Sequence, residues 1–397
     1  MTFASGDQLN GRNGTKLSVE DRSLLILARG RLTVELRNEV EDLLARTVSW
    51  RRIVEQARVH GVLPLVLRNL KWLGYPRVPA EVRAELEVAA ALNAARNAFF
   101  VRALTTVLGR FDAAGVPVIP LKGVALAESL YGDPTLRVCS DIDILVPRVA
   151  VADAFRLLIA EGFAPEEGEL TPARMDLLLK SDIECAFVPR SGSVSWLLEL
   201  HWDIAWRWQR NSVATDDLWA EARPQTVLGA EAQALSPEWE ILYLIVHAAR
   251  HRLRALKWLV DIHEACSARQ VDWVRLRDKA RRLGWEKVLE VTLSTCHALF
   301  DTPAPDDLSR RALPRWLKIF PESPVEAGLW QEALFATRLF SGTSAKLGYL
   351  GRLLFLPTIR ERKLVSLPAP MRVLYYPLRP LRLAGRWITS NSRNHGG

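Results

Sequence analysis

Long apolar runs are missing from this 397-residue chain. No stretch approaches the ~18 uninterrupted apolar residues of a membrane-spanning helix, so none is expected. The opening MTFASGDQLNGRNGTKLSVEDR has no apolar h-region, which argues against a secretory leader. Cysteine is scarce: Cys139, Cys185, Cys266 and Cys296 lie far apart, with no C-x-x-C. That excludes a disulfide scaffold or a zinc ribbon and fits a reducing, cytoplasmic setting. There is no G-x-x-x-x-G-K-[ST] phosphate loop, no H-E-x-x-H, no RNP motif, no internal repeat and no low-complexity block. Acid is nearly lacking at one end. From Ser341 to Gly397, ten Lys or Arg stand against Glu361 alone. The net charge of +8 therefore belongs to the tail, and a basic nucleic-acid-binding body is excluded. What is present, 49% hydrophobic and 25% charged residues, is ordinary globular usage with room for about two to three domains.

The patterning divides the chain into five stretches. Residues 1–16 form a polar, flexible arm. Residues 17–114 carry apolar residues at three- and four-residue spacing, a helical region whose last helix stops at Gly115. Residues 115–210 change texture. VPVIPL reads as a strand, VALAESLY as a helix, LRVCSDIDILV as a strand and VAVADAFRLLIAEGF as a helix. Asp182–Val188 and Ser195–His201 then form a hairpin around the turn Pro189–Ser193. Residues 211–340 are helical again, with Ser236 as N-cap and Pro237 at the first helical position. Residues 341–397 are basic and punctuated by Pro357, Pro368, Pro370, Pro377 and Pro380.

The sharpest feature is Ser140-Asp141-Ile142-Asp143-Ile144. Strand alternation puts Asp141 and Asp143 on one face and the isoleucines on the other. Two carboxylates on a short apolar strand repel each other and lose hydration, and a divalent cation relieves both problems. LELHWD offers a third acid, Glu199, with His201 and Asp203 on the same face. If the hairpin pairs with the Asp141 strand, three carboxylates can hold two metals, the arrangement used in phosphoryl and nucleotidyl transfer. Phosphates need donors as well. Lys122-Gly123 sits at a strand-to-helix turn, where glycine admits a phosphate and the helix start favours its charge. Arg137 and Ser140 are further phosphate-contact candidates. A lone D-x-D also arises as a solvated strand face, and Lys-Gly before a helix is weaker still; the ordered combination carries the reading.

His247 and His251 stand four apart on one helix, followed by Lys257 and Asp261. Their ordinary reading is a packed helix face. The alternative is the far wall of a cleft that contacts nucleotide or acceptor. His201 either assists at the metals or orients Glu199. Trp202, Trp206 and Trp208 cluster after Glu199, with core packing as the default. The tail suits an anionic surface or an acidic protein partner, or simply a solvated face.

PLKGVALAESLYGDPTLRVCSDIDILV, LELHWDI and HAARHRLRALKWLVDIHEA, in this order, resemble the DNA polymerase β-like nucleotidyltransferase superfamily, and more closely its bacterial group of uncharacterised nucleotidyltransferases. The resemblance spans roughly residues 40–300. It implies an α+β fold: a small mixed sheet with helices, flanked by N-terminal and C-terminal helical regions. It implies Asp141 and Asp143 as paired metal-binding acids, Glu199 as the third, and Mg²⁺ (two ions, or Mn²⁺) as cofactor. The implied activity moves a nucleoside monophosphate from an NTP, ATP first among them, to a hydroxyl-type acceptor. The alternative is a non-catalytic nucleotide sensor or antitoxin-like protein on the same fold. The wider superfamily has Gly-Ser or Gly-Gly at the phosphate turn, where this chain has Lys122-Gly123, with Asp141 eighteen residues beyond Gly123.

Overall fold

The computed structural model describes residues 17–393 except 167, 169–170, 191–195, 205–212, 310–312, 315–316, 318–328, 359–360, 362–364, 366 and 368. The arm over 1–16, the turn residues Ser191–Ser193, and Trp206 and Trp208 lie outside the described residues.

Four short helices open the fold: α1 (Val19–Leu27), α2 (Val34–Leu44), α3 (Trp50–Val59) and α4 (Leu63–Trp72). Their starts are set by short polar side chains that satisfy free N–H groups. Ser18 and Asp21 form a reciprocal capping box on α1, and Thr33 and Ser49 cap α2 and α3. The Ala- and Leu-rich segment forms α5 (Ala80–Ala113), and the chain leaves it through Gly115 at φ +67°.

The centre follows as β1 (Ile119–Pro120), α6 (Gly123–Tyr131), β2 (Asp141–Leu145), α7 (Val151–Ala160), β3 (Phe163–Pro165), α8 (Pro172–Ser181), β4 (Glu184–Pro189) and β5 (Leu197–His201). The strands make one sheet in the order β1-β2-β5-β4-β3. Among the described strands, β2 and β5 run parallel and the other neighbours in this sheet are antiparallel. The hairpin therefore pairs with the Asp141 strand, in a register that sets Asp143 beside Glu199. Ile142, Ile144, Leu198 and Leu200 point to the other face and are at most 4% exposed. They pack with Phe100, Leu104 and Phe111 of α5 and Phe155 of α7. Each such side chain contributes about 1.5–3 kcal/mol by leaving water, so this face fixes which way the acids point.

After α9 (Val213–Ala220) comes a hairpin, β6 (Arg223–Val227) and β7 (Ala230–Ala234), inside a stretch whose pattern reads as helical. Leu228 and Gly229, both at positive φ, make its turn, and Gln233 N–H donates to Val118 O, tying it to the central sheet. The helices α10 (Pro237–Arg250), α11 (Leu256–Ala268), α12 (Trp273–Arg282) and α13 (Glu286–Phe300) follow where periodicity places them. With α1–α4 they form a second core that reaches Leu145 of β2. Ser236 stands at the N-cap of α10, but its hydroxyl donates to Glu221 instead of capping the helix. The chain continues through α14 (Asp306–Ser309), α15 (Leu329–Leu339), α16 (Thr343–Phe355) and α17 (Tyr375–Arg393). The observed class is the expected α+β one, a small mixed sheet flanked by helical regions. No described helix is long and apolar enough to cross a membrane.

Candidate active site

Parallel pairing of β2 with β5 places Asp143 and Glu199 on adjacent strands, with Asp141 one step along the same face. Antiparallel pairing with β4 adds Glu184 beside His201. Asp143 is 2% exposed. One of its oxygens, Oδ1, lies 3.1 Å from Lys122 Nζ and 3.1 Å from His201 Nε2. The other, Oδ2, is buried with no hydrogen-bond partner among the described residues. Asp143 Oδ1 and Glu199 Oε2 converge on one imidazole nitrogen, the latter 3.5 Å from His201 Nε2. The far nitrogen, Nδ1, is 3.2 Å from Glu184, which pairs in turn with Arg250 at 3.3 Å.

The electrostatics follow from this crowding. Burial pushes the Asp143 carboxyl up, but the Lys122 ammonium and His201 outweigh it and hold the group well below the usual range. Burial, reinforced by the Asp143 charge, raises half-buried Glu199 despite the His201 hydrogen bond. Burial opposes charge on His201, yet Asp143, Glu184 and Glu199 pull its pKa up to about 9. Lys122 stays charged for the same reason: desolvation lowers it, and Asp143 with the other acids more than reverses that.

Asp143, Glu199 and His201 offer ligand atoms within 4.8 Å of one another. A buried carboxylate oxygen lacking a donor, in a cluster of surplus acids, is the chemistry a divalent cation completes, so the residues fit such an ion. Asp141 stands beside this group, its Oδ2 3.5 Å from Lys122 Nζ and its Oδ1 accepting from the exposed Ser140 hydroxyl at 3.2 Å. The Lys122 ammonium thus lies between the two strand aspartates. Gly123 begins α6 at φ +70°, a conformation that favours glycine, and no side chain caps that helix start. A Cβ on Gly123 would lie 3.6 Å from the Asp141 carbonyl oxygen, so the open helix start adjoins the acid strand.

The remaining candidates divide. Arg137 is buried and donates to Asp261 Oδ2 at 2.9 Å, and Tyr131 donates to the other Asp261 oxygen at 2.7 Å. These two candidates bind each other and not the acid cluster. Lys257 donates to Val138 O at 3.4 Å, and burial beside Arg137 draws its pKa down to about 8. Buried His247 packs against His251, whose ring stacks on Trp258 with centroids 4.5 Å apart. Burial, with Lys122 nearby, holds His247 well below the ordinary histidine value. Three residues of this region escape the sequence reading: Glu184, Arg250 and Tyr243. The Tyr243 hydroxyl is buried without a partner among the described residues, and burial plus the Asp143 charge raise its pKa. Glu184 had a signal, an acid at alternating spacing in the apolar strand ECAFV.

Residues 46–301 match the family model described as an uncharacterised nucleotidyltransferase. A solved structure, an antigenic nucleotidyltransferase-like protein from Paracoccidioides brasiliensis, is similar at 17% identity and a TM-score of 0.32. The similarity covers 53% of this chain and 96% of that one. Curated proteins give no match.

Proposed function

Because the chain belongs to the uncharacterised nucleotidyltransferase family, we propose that it is a metal-dependent enzyme moving a nucleoside monophosphate from an NTP to a hydroxyl-type acceptor. ATP is the first nucleotide to test. Asp141, Asp143 and Glu199 would hold Mg²⁺, as two ions or with Mn²⁺ in its place. When bound, Mg²⁺ supplies charge neutralisation and polarisation at the phosphoryl oxygens. Glu199 would hold the ion that lowers the acceptor hydroxyl's pKa, or would take that proton directly. The hydroxyl oxygen forms a bond to the α-phosphorus. The bond from that phosphorus to the bridging oxygen breaks, and pyrophosphate leaves with the electron pair. Lys122 and the uncapped start of α6 supply positive charge for the phosphates. His201, fixed by Glu184, orients both Asp143 and Glu199.

The observation that carries this reading is the buried, partnerless Asp143 Oδ2 beside Glu199 on parallel strands. The test incubates the protein with α-labelled ATP, Mg²⁺ and a native lysate as the acceptor source. Wild type should label a product and release pyrophosphate, and Asp143→Ala should abolish both while keeping its circular dichroism. Unchanged labelling by that variant refutes the assignment. One observation favours the non-catalytic sensor: Lys122 already supplies a cation between Asp141 and Asp143. Binding of ATP·Mg²⁺ without pyrophosphate release across a broad acceptor screen would support it.

A further inference from the structure

Exposed large apolar side chains are unevenly distributed. Among the described residues nine of eighteen lie between Leu334 and Leu381, including Leu347, Phe355, Met371, Val373, Tyr376 and Leu381. That segment overlaps the stretch where ten cations stand against Glu361. Helix α17 shows how the two features combine. Tyr375, Arg379 and Leu383, spaced by four, form its buried line. Pro377, Leu381 and Ala384 lie on the opposite line and are exposed, Leu381 at 69%.

The inward line is held by charge. Arg379 Nε donates to Leu353 O at 2.7 Å, and its Nη1 lies 3.4 Å from Glu361. Arg382 Nε pairs with the same carboxylate at 2.6 Å. The segment's one acid is therefore engaged twice inside the protein, which leaves an excess of cations. A helix on a water-facing surface buries its aliphatic side and shows its charges. Here a buried arginine faces in and an aliphatic line faces out.

We propose that this C-terminal face seats on an anionic lipid bilayer. The outer line of α17, with Val373 before it, enters the boundary between headgroups and acyl chains. The stretch 341–397, with ten cations against one acid, has the net charge that complements lipid phosphates. A nucleic acid fits less well: Phe355 and Tyr376 are exposed, but the outer line of α17 (Pro377, Leu381, Ala384) offers no ring on which a base stacks. The placement rests on nothing assigned to the acid cluster.

Co-sedimentation of the full chain with vesicles tests it. The protein should pellet with phosphatidylcholine–phosphatidylglycerol vesicles and stay in solution with phosphatidylcholine alone. The double variant Val373→Asp/Leu381→Asp changes only exposed positions and should lower partitioning at least tenfold, with an unchanged thermal midpoint. High salt should lower it as well. Absence of binding to the anionic vesicles overturns the proposal, and so does undiminished binding by the double variant. Binding to a single-stranded RNA oligonucleotide without vesicle binding overturns it too and assigns the tail to nucleic acid.

Discussion

The Arg137–Asp261 pair and the Asp143 cluster are both buried and both charged, but their accounts of partners differ. Asp261 receives the Arg137 Nε at 2.9 Å on one oxygen and the Tyr131 hydroxyl at 2.7 Å on the other. The Arg137 carbonyl in turn accepts from Asn93 and Asn97. Both Asp261 oxygens are satisfied, and one acid meets one cation. In the Asp143 cluster Asp141, Asp143, Glu199 and Glu184 share Lys122, His201 and Arg250, and one Asp143 oxygen has no donor. A closed pair is what structure alone needs. An open one, kept in spite of the desolvation cost, points to a ligand that completes it.

Substituting one acid in each cluster breaks this comparison if it is wrong. The largest effect is expected from Glu199→Gln, which should lower transfer of labelled nucleotide by about 10³-fold, in the range for loss of a positioned base. Without divalent cation the same variant should unfold in urea at the wild-type midpoint or above it. The lost charge is one that burial and Asp143 disfavour. Asp261→Asn should do the opposite. It strands the buried Arg137 and should cost about 3–5 kcal/mol in urea unfolding, while the folded fraction transfers label at close to the wild-type rate. Equal stability losses in the two variants would erase the distinction between a closed and an open cluster.

Smaller effects should come from pH, and they oppose each other in sign. His201 is raised to about 9 in the fold, above its ordinary 6.5. Its stabilising contribution is complete below pH 6.5 and is lost as pH rises through about 9. His247 is held well below 6.5 by burial, so the unfolded chain protonates first and stability falls as pH drops under 6.5. Imidazole ¹⁵N shifts should show His201 charged and His247 neutral at pH 7. A neutral His201 at that pH would remove the acid cluster's hold on it.

Much of the site was legible because strand alternation is a local rule. It assigns Asp141 and Asp143 to one face and the isoleucines to the other, and an acid in LELHW to a comparable face. The contact between Asp143 and Glu199 needed one long-range fact, the pairing of β2 with β5. Arg137 was not legible in the same way. Four residues before the acids it suits a phosphate, but its partner Asp261 is 124 residues on. Tyr243 and Arg250 reach the cluster from a helix whose rotation is set by packing. The β6–β7 hairpin escaped because AEAQA lacks β-branched residues and its turn is Leu228-Gly229 in place of Asn-Gly. Fold class was easier to read, since long Ala- and Leu-rich periodic segments alternate with one short region of paired strands.

Titration of Mn²⁺ into the protein, read by loss of the free-ion EPR signal, meets the central question most directly. Saturable binding by wild type and Asp261→Asn, and its loss in Asp143→Asn, is the expected result. Undiminished Mn²⁺ uptake by Asp143→Asn would contradict the assignment of this cluster as the metal-holding centre.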